Sequence, residues 1–242
     1  MTITFRGMAA SVLAIALAVL PAGAEQTDSA VFNLSLKGIY AGSLTLEGQS
    51  DGQSYAATGV LKSGGLVALV RKVRYDARAN GTVRTGKFVP DRYEEDADTG
   101  KRRSKSVMAY ADGVPQVTAY DPPRAAFDTD VDPATQGGTV DPLTALYAAL
   151  RDTPEAEACK LHLYMFDGRR RSQVVLSQPK PDGDSVVCIG EYRRLAGFAA
   201  HEMAEKQRFP FRLIYRRTGE GMLRAEEIVM DTLYGKGRLK RR

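Results

Sequence analysis

The chain has 242 residues, 43% of them hydrophobic, with 34 Lys and Arg against 29 Asp and Glu and a formal charge of +5. Such a length and apolar content support a folded core and exclude disorder as the default state. The charge is unevenly placed: Lys236, Arg238, Lys240, Arg241 and Arg242 crowd the C-terminal end with no acid among them, and the body before them is close to neutral. A neutral body without a stacking-aromatic platform excludes nucleic acid as a partner.

The first element is a leader. Arg6 precedes an apolar run, Met8–Leu20, broken only by Ser11, and Ala22-Gly23-Ala24 supplies a small-x-small cleavage site. The run falls short of the ~18 residues that a membrane span needs, and no cysteine stands at its end to carry a lipid. The pattern predicts a signal peptide over 1–24, cleavage after Ala24 and release into the periplasm, with a single β-rich domain over 25–235.

Next come short alternating segments: Val31–Leu36, Ile39–Glu47, Tyr55–Leu61, Val73–Ala79, Thr82–Val89, Arg103–Tyr110 and Val114–Tyr120. After a helical interlude follow Leu161–Phe166, Arg170–Leu176, Ser185–Tyr192, Phe211–Arg216 and Met222–Thr232. Asn80-Gly81, Asp112-Gly113, Asp167-Gly168 and Asp182-Gly183 mark tight hairpins, because their central residues tolerate positive φ. About a dozen strands in an antiparallel meander must curl to protect their edges, which predicts a mainly β fold forming an open or incomplete barrel.

Two helices interrupt the strands. Gly65–Val70 is short, whereas Asp141–Arg151 carries clear signals. Asp141 is placed to cap, Pro142 suits the first turn, and Leu143, Leu146, Tyr147 and Leu150 fall on one face. A single apolar stripe implies one buried face, so this helix is expected to cover or plug the curved sheet. The end segment, 236–242, reads as a solvated, frayed tail; the alternative is contact of Lys236, Arg238, Lys240, Arg241 and Arg242 with anionic lipid or lipopolysaccharide.

Cys159 and Cys188 are the only cysteines, and an exported chain meets an oxidising environment. The expectation is a disulfide, against the alternative of two buried free thiols. In a simple meander the two positions lie roughly 10 Å apart, too far to bridge. Cys159 must therefore lie off the ladder, in the link from the helix.

Three motifs carry chemistry on paper. Gly48-Gln49-Ser50-Asp51-Gly52 matches the nucleophile pattern of serine hydrolases, but a strand follows it where the elbow requires a helix. A hairpin is the better reading, with a hydrolase using Ser50 kept as a remote alternative. His201-Glu202-Met203-Ala204-Glu205 lacks the second histidine of a zinc-protease helix and reads as a surface helix turn or loop. Asp128-Thr129-Asp130-Val131-Asp132 has the opening spacing of a calcium loop, then Pro133 where glycine is needed and Thr139 where the bidentate glutamate belongs; it reads as an acidic surface loop, with a loose calcium contact as the alternative. No cofactor or metal is expected.

Thr139–Tyr147, Arg151, Cys159, Phe166–Arg170, Cys188, Tyr192 and Gly197, together with Leu36–Gly42, resemble an uncharacterised family of bacterial periplasmic β-rich proteins of unknown function. The resemblance implies a curved sheet or open barrel, broadly like the lipoprotein-carrier and sensor folds of the envelope, and no catalytic residues. The expected function is non-enzymatic: binding a lipid, acyl chain or lipoprotein on the concave face. The alternative is a scaffold for an envelope protein partner, with no small ligand.

Overall fold

The structure, a computed structural model, describes residues 25–242. The predicted leader, 1–24, lies outside the described residues.

The first half of the chain forms seven strands. They are β1 (Gln26–Leu36), β2 (Ile39–Ser50), β3 (Ser54–Ser63), β4 (Arg74–Arg84), β5 (Lys87–Asp98), β6 (Arg103–Ala111) and β7 (Val114–Asp121), with the short helix α1 (Gly65–Val70) between β3 and β4. The second half contains α2 (Pro142–Leu150), a two-residue strand β8 (Thr153–Pro154), β9 (His162–Phe166), β10 (Arg171–Asp182) and β11 (Ser185–Ala196). Helix α3 (Ala200–Glu205), β12 (Arg208–Gly219), β13 (Met222–Thr232) and β14 (Gly235–Arg241) complete it.

All fourteen strands belong to one antiparallel sheet in the order β7-β6-β5-β4-β3-β2-β1-β14-β13-β12-β11-β10-β9, with β8 paired to β13 off this path. The sheet curls into a nearly closed barrel with a seam between β7 and β9. The chain between β7 and α2 fills that seam. Val131 N–H donates to the Arg169 carbonyl and Gly138 N–H to that of Gly113, in the β6–β7 turn. Val140 then bridges Met165 in parallel, so the free edge of β9 is covered rather than left open to another chain.

Two sequence expectations are corrected by this topology. Asn80-Gly81 is not a hairpin turn: it lies within β4, and the turn falls at Thr85-Gly86. Gly81 sits at a register shift between β4 and β5, where a Cβ would lie 2.1 Å from the Val89 carbonyl oxygen. Glycine serves there as a bulge residue allowing close backbone approach. The second correction concerns the basic end. Residues 235–241 are not a tail but β14, paired with β1 from Phe32↔Arg241 to Leu36↔Gly237 and with β13 from Glu227↔Lys240 to Thr232↔Gly235. This strand joins the two halves of the barrel.

The inward faces of the strands supply the core: Phe32, Leu44, Leu46, Tyr55, Tyr93, Met108, Phe166, Val186, Leu213 and Leu223 are all buried. Helix α2 lies on this concave side. Asp141 caps it, its carboxylate accepting from the Thr144 N–H at 2.8 Å, and Leu143, Thr144, Ala145, Tyr147 and Leu150 are buried. Inward-facing glycines make room for it. A Cβ on Gly48 would lie 2.3 Å from Tyr147 Cε2, and one on Gly59 would lie 2.8 Å from Leu143 Cδ1. The predicted plug is therefore seated in the barrel by two side chains occupying the space that glycine leaves.

Candidate functional site

The concave face, the expected ligand site, is occupied by α2 and aromatic rings. Tyr55 and Phe88 meet edge to face with centroids 4.9 Å apart, and Phe88 lies 5.5 Å from Tyr147. Both ends of α2 are tied to the wall. Near its start, the Thr144 hydroxyl donates to Asp141 Oδ2 at 2.6 Å and shares a 2.8 Å hydrogen bond with the Tyr55 hydroxyl. Towards its end, Tyr147 Oη donates to Asp28 Oδ2 at 2.9 Å, and Tyr215 Oη donates to the Ala149 carbonyl at 2.8 Å. Asp28 also accepts from the Asp152 backbone N–H, which fixes the exit of the helix against β1.

A set of polar groups lies within this interior. Burial pushes the Asp141 carboxyl up to about 6, against the hydrogen bonds from Thr144 that favour its charged form. Burial likewise raises Glu95, although Tyr93 Oη donates to its carboxylate at 2.8 Å. The Tyr110 hydroxyl is buried without a hydrogen-bond partner among the described residues. These groups can hold protons and orient dipoles. None of them forms a nucleophile–base pair.

The link from α2 to β9 closes one end of the barrel, crossing the strands one after another. Thr153 and Pro154 pair with Leu223 and Met222 of β13. Glu155 then meets Arg217 of β12 at 2.8 Å. Cys159 is bonded to Cys188 of β11 with a Cα–Cα distance of 5.2 Å, and the Leu161 carbonyl accepts from Leu176 N–H of β10. The disulfide is present, and Cys159 is off the ladder as the spacing demands. Such a bond marks an oxidising compartment.

The other sequence candidates do not converge. Ser50 ends β2, and its Oγ donates to the Ser54 carbonyl across an exposed strand-to-strand turn. The strand-to-helix elbow that would activate it is absent there. His162 bonds Gln173 through Nε2 at 2.7 Å, while His201 is exposed on α3. Glu202 serves structure: it accepts from the Ala199 N–H at the start of α3 and pairs with Arg170. Asp130 is held by Arg124 and Arg169, and Asp132 accepts from the Ala134 N–H. Among the described residues, no group of three or more His, Cys, Asp or Glu side chains is gathered to hold a metal.

The five C-terminal cations are distributed by the strand. Arg238 pairs with Glu227 at 2.7 Å and Lys236 with Asp231 at 3.4 Å. Arg241 turns inward, donating to the carbonyls of Ala225 and Ser29, and Arg242 donates to Asn33 Oδ1. They are not a flexible tail: alternation along the paired strand puts Lys236, Arg238, Lys240 and Arg242 on its exposed outer face and turns only Arg241 inward.

A groove of about 690 Å³ indents the outer surface across β2–β6, walled by Glu47, Asp76, Arg78, Glu94, Asp96 and Lys105. A second surface feature is α1, which the sequence places as a short helix but whose exposure it does not reveal. None of its six residues is buried, although five of them are apolar. Its sequence carries no signal of that exposure, because a helix apolar on all sides ordinarily reads as buried.

Fold and interior define a class: a barrel-like antiparallel β-protein plugged by a short amphipathic helix. The chain belongs to the family described as a protein of unknown function, DUF3108, whose model matches residues 31–179. That span contains the leading residues of the resemblance, Leu36–Gly42 and Thr139–Arg170. Among solved structures, the chain is similar to a beta-barrel-like protein of domain of unknown function DUF1849 from Brucella abortus. The identity is 13%, the TM-score 0.48, and the match covers 88% of this chain and 94% of that one. No curated protein matches the chain.

Proposed function

We propose that this is a non-enzymatic protein of the bacterial cell envelope, exported to the periplasm, that acts as a scaffold through its outer surface. The observation that carries this reading is the seating of α2. Tyr147 is fully buried within the barrel, and the inward glycines that receive the helix leave no room for a ligand in its place. A carrier of acyl chains needs an apolar cavity that is open or easily opened. Here, admitting a chain at this position requires expelling a helix anchored through Asp28, Tyr55 and Tyr215. The disulfide and the leader-like sequence of residues 1–24 support the compartment.

Native mass spectrometry of the exported protein, with organic extraction of the same sample, tests this reading. The expected result is a bare chain with no co-purifying lipid. A stoichiometric lipid or acyl chain would instead establish the concave-face carrier.

A further inference from the structure

Helix α1 is an apolar segment that folding alone does not explain. Its sequence is Gly65-Leu66-Val67-Ala68-Leu69-Val70, and it buries no residue and has no side-chain cap. Leu69 and Val70 are 83% and 90% exposed, and Leu66 is 68% exposed. The helix rests on Tyr40: a Cβ on Gly64 would lie 2.7 Å from the Tyr40 ring, and Gly64 N–H donates to the Ala41 carbonyl. Ile39 and Tyr40 are themselves exposed, so the apolar surface continues from α1 onto the β1–β2 turn. That turn is joined to the β13–β14 turn through Lys37 N–H and the Lys236 carbonyl, which brings exposed Tyr234 to the same end of the barrel.

The surroundings of this patch are basic. Arg71 and Lys72 follow α1 directly, and Lys62 precedes it at the end of β3. The β5–β6 turn packs alongside: Arg71 Nε donates to the Thr99 carbonyl, and a Cβ on Gly100 would lie 2.6 Å from the Lys72 carbonyl oxygen. Lys101 and Arg102 therefore join the rim. The neighbouring acids are engaged, Asp76 by Arg74 and Asp98 by Arg103. Lys37, Lys62, Arg71, Lys72, Lys101 and Arg102 are exposed at this end. None of these six cations forms an ion pair among the described residues.

We propose that this end of the barrel docks on an anionic lipid bilayer, with α1 seated at the headgroup–acyl boundary and the basic rim on the headgroups. Apolar side chains ringed by cations, with Tyr40 and Tyr234 at the margin, match the two forces that hold peripheral proteins on such surfaces. Neither force suffices alone. A six-residue helix offers limited apolar area, and an exposed charge is screened within about 10 Å at 0.1 M salt. The inference rests on the envelope reading above, but not on whether the barrel is empty or filled.

Co-sedimentation of the full exported protein with vesicles of phosphatidylglycerol and phosphatidylethanolamine tests it, with phosphatidylcholine vesicles as the neutral control. Binding is expected to the anionic vesicles and to weaken with salt. The Leu69→Asp/Val70→Asp variant is expected to lose on the order of 100-fold in partitioning, and Arg71→Gln/Lys72→Gln about tenfold. Because these residues are exposed, thermal unfolding should be unchanged; a variant that unfolds early is replaced by Leu69→Ser. Absence of binding, or binding that both variants leave intact, overturns the proposal. So does concentration-dependent self-association abolished by the same aspartates, which would make a second copy of the chain the occupant. Lipid extracted from the interior overturns the scaffold reading only and leaves this docking surface to be judged on the vesicles.

Discussion

Phe32, in the first strand, and Arg241, in the last, face each other across β1 and β14, and the Arg241 guanidinium lies 5.2 Å from the centre of the Phe32 ring. Phe32 is completely buried. The first and last described strands thus meet in the barrel wall, and the guanidinium is held there by the carbonyls of Ala225 and Ser29. Burial pulls the Arg241 pKa down, yet the group keeps its hydrogen bonds to backbone oxygens.

The C-terminal strand should therefore be indispensable. Deleting residues 235–242 removes the ladder between β1 and β13 and opens both strands along their length. The truncated protein is expected to lose cooperative thermal unfolding by circular dichroism, or to aggregate through its new edges. A truncated chain that unfolds at the full-length temperature would restore the view of these residues as a dispensable tail.

Asp141 should make stability depend on pH in an unusual direction. Its folded pKa of about 6 lies above the ordinary carboxylate value of 3.8, so between these limits the folded state binds more protons than the unfolded state. Stability contributed by this group therefore falls as pH rises from about 4 to about 6, and does not recover above. The drop is roughly 2–4 kcal/mol at about 1.4 kcal/mol per pKa unit. Asp141→Asn keeps a good N-cap and removes the titration, so its urea midpoint should vary less across this range than the wild type's. An identical slope in both proteins would show that Asp141 does not titrate there.

The disulfide should stabilise the fold through the loop it closes. The sequence separation of 29 corresponds to about 3–4 kcal/mol of lost chain entropy in the unfolded state. Reduction, or replacement of both Cys159 and Cys188 by alanine, is expected to lower the unfolding free energy by that amount, read as a lower urea midpoint, while leaving the strand content intact. Alkylation without reductant, followed by mass spectrometry, should find neither cysteine labelled.

How much of this was legible depended on whether one residue's job could be seen from its neighbours. The cap at Asp141, the Pro142 start and the stripe through Tyr147 announce α2 because the signals lie within one helix. Asp112-Gly113 is likewise a local turn signal, and the structure uses it as one. The strand β14 was hidden because Leu239 is its only large apolar residue: Gly237 and Arg241 occupy the other inward positions, so the alternation that marks a strand is missing. Asn80-Gly81 misled for a related reason. The glycine answers to the approach of β5, a long-range contact that the dipeptide does not encode. The concave face was correctly expected to be bounded by α2, but its filling depends on Gly48 and Gly59, whose roles appear only when helix and sheet meet. The apolar end formed by α1, Tyr40 and Tyr234 brings together three turns far apart in sequence.

The seating of α2 can be measured directly as a coupling between Gly48 and Tyr147. Gly48→Ala places a methyl group 2.3 Å from the Tyr147 ring, in a strand paired on both sides with β1 and β3, so the ring must give way. Overpacking of this kind costs about 1–3 kcal/mol. Tyr147→Ala removes the ring and its hydrogen bond to Asp28, at a cost of about 3–5 kcal/mol. In the double variant the added methyl enters the space that the ring has left, so the two costs should not add. A coupling of at least about 1 kcal/mol in a double-mutant cycle, read by urea unfolding, is expected. Strict additivity would mean that Tyr147 is not held against β2, and the barrel would then be open to a ligand after all.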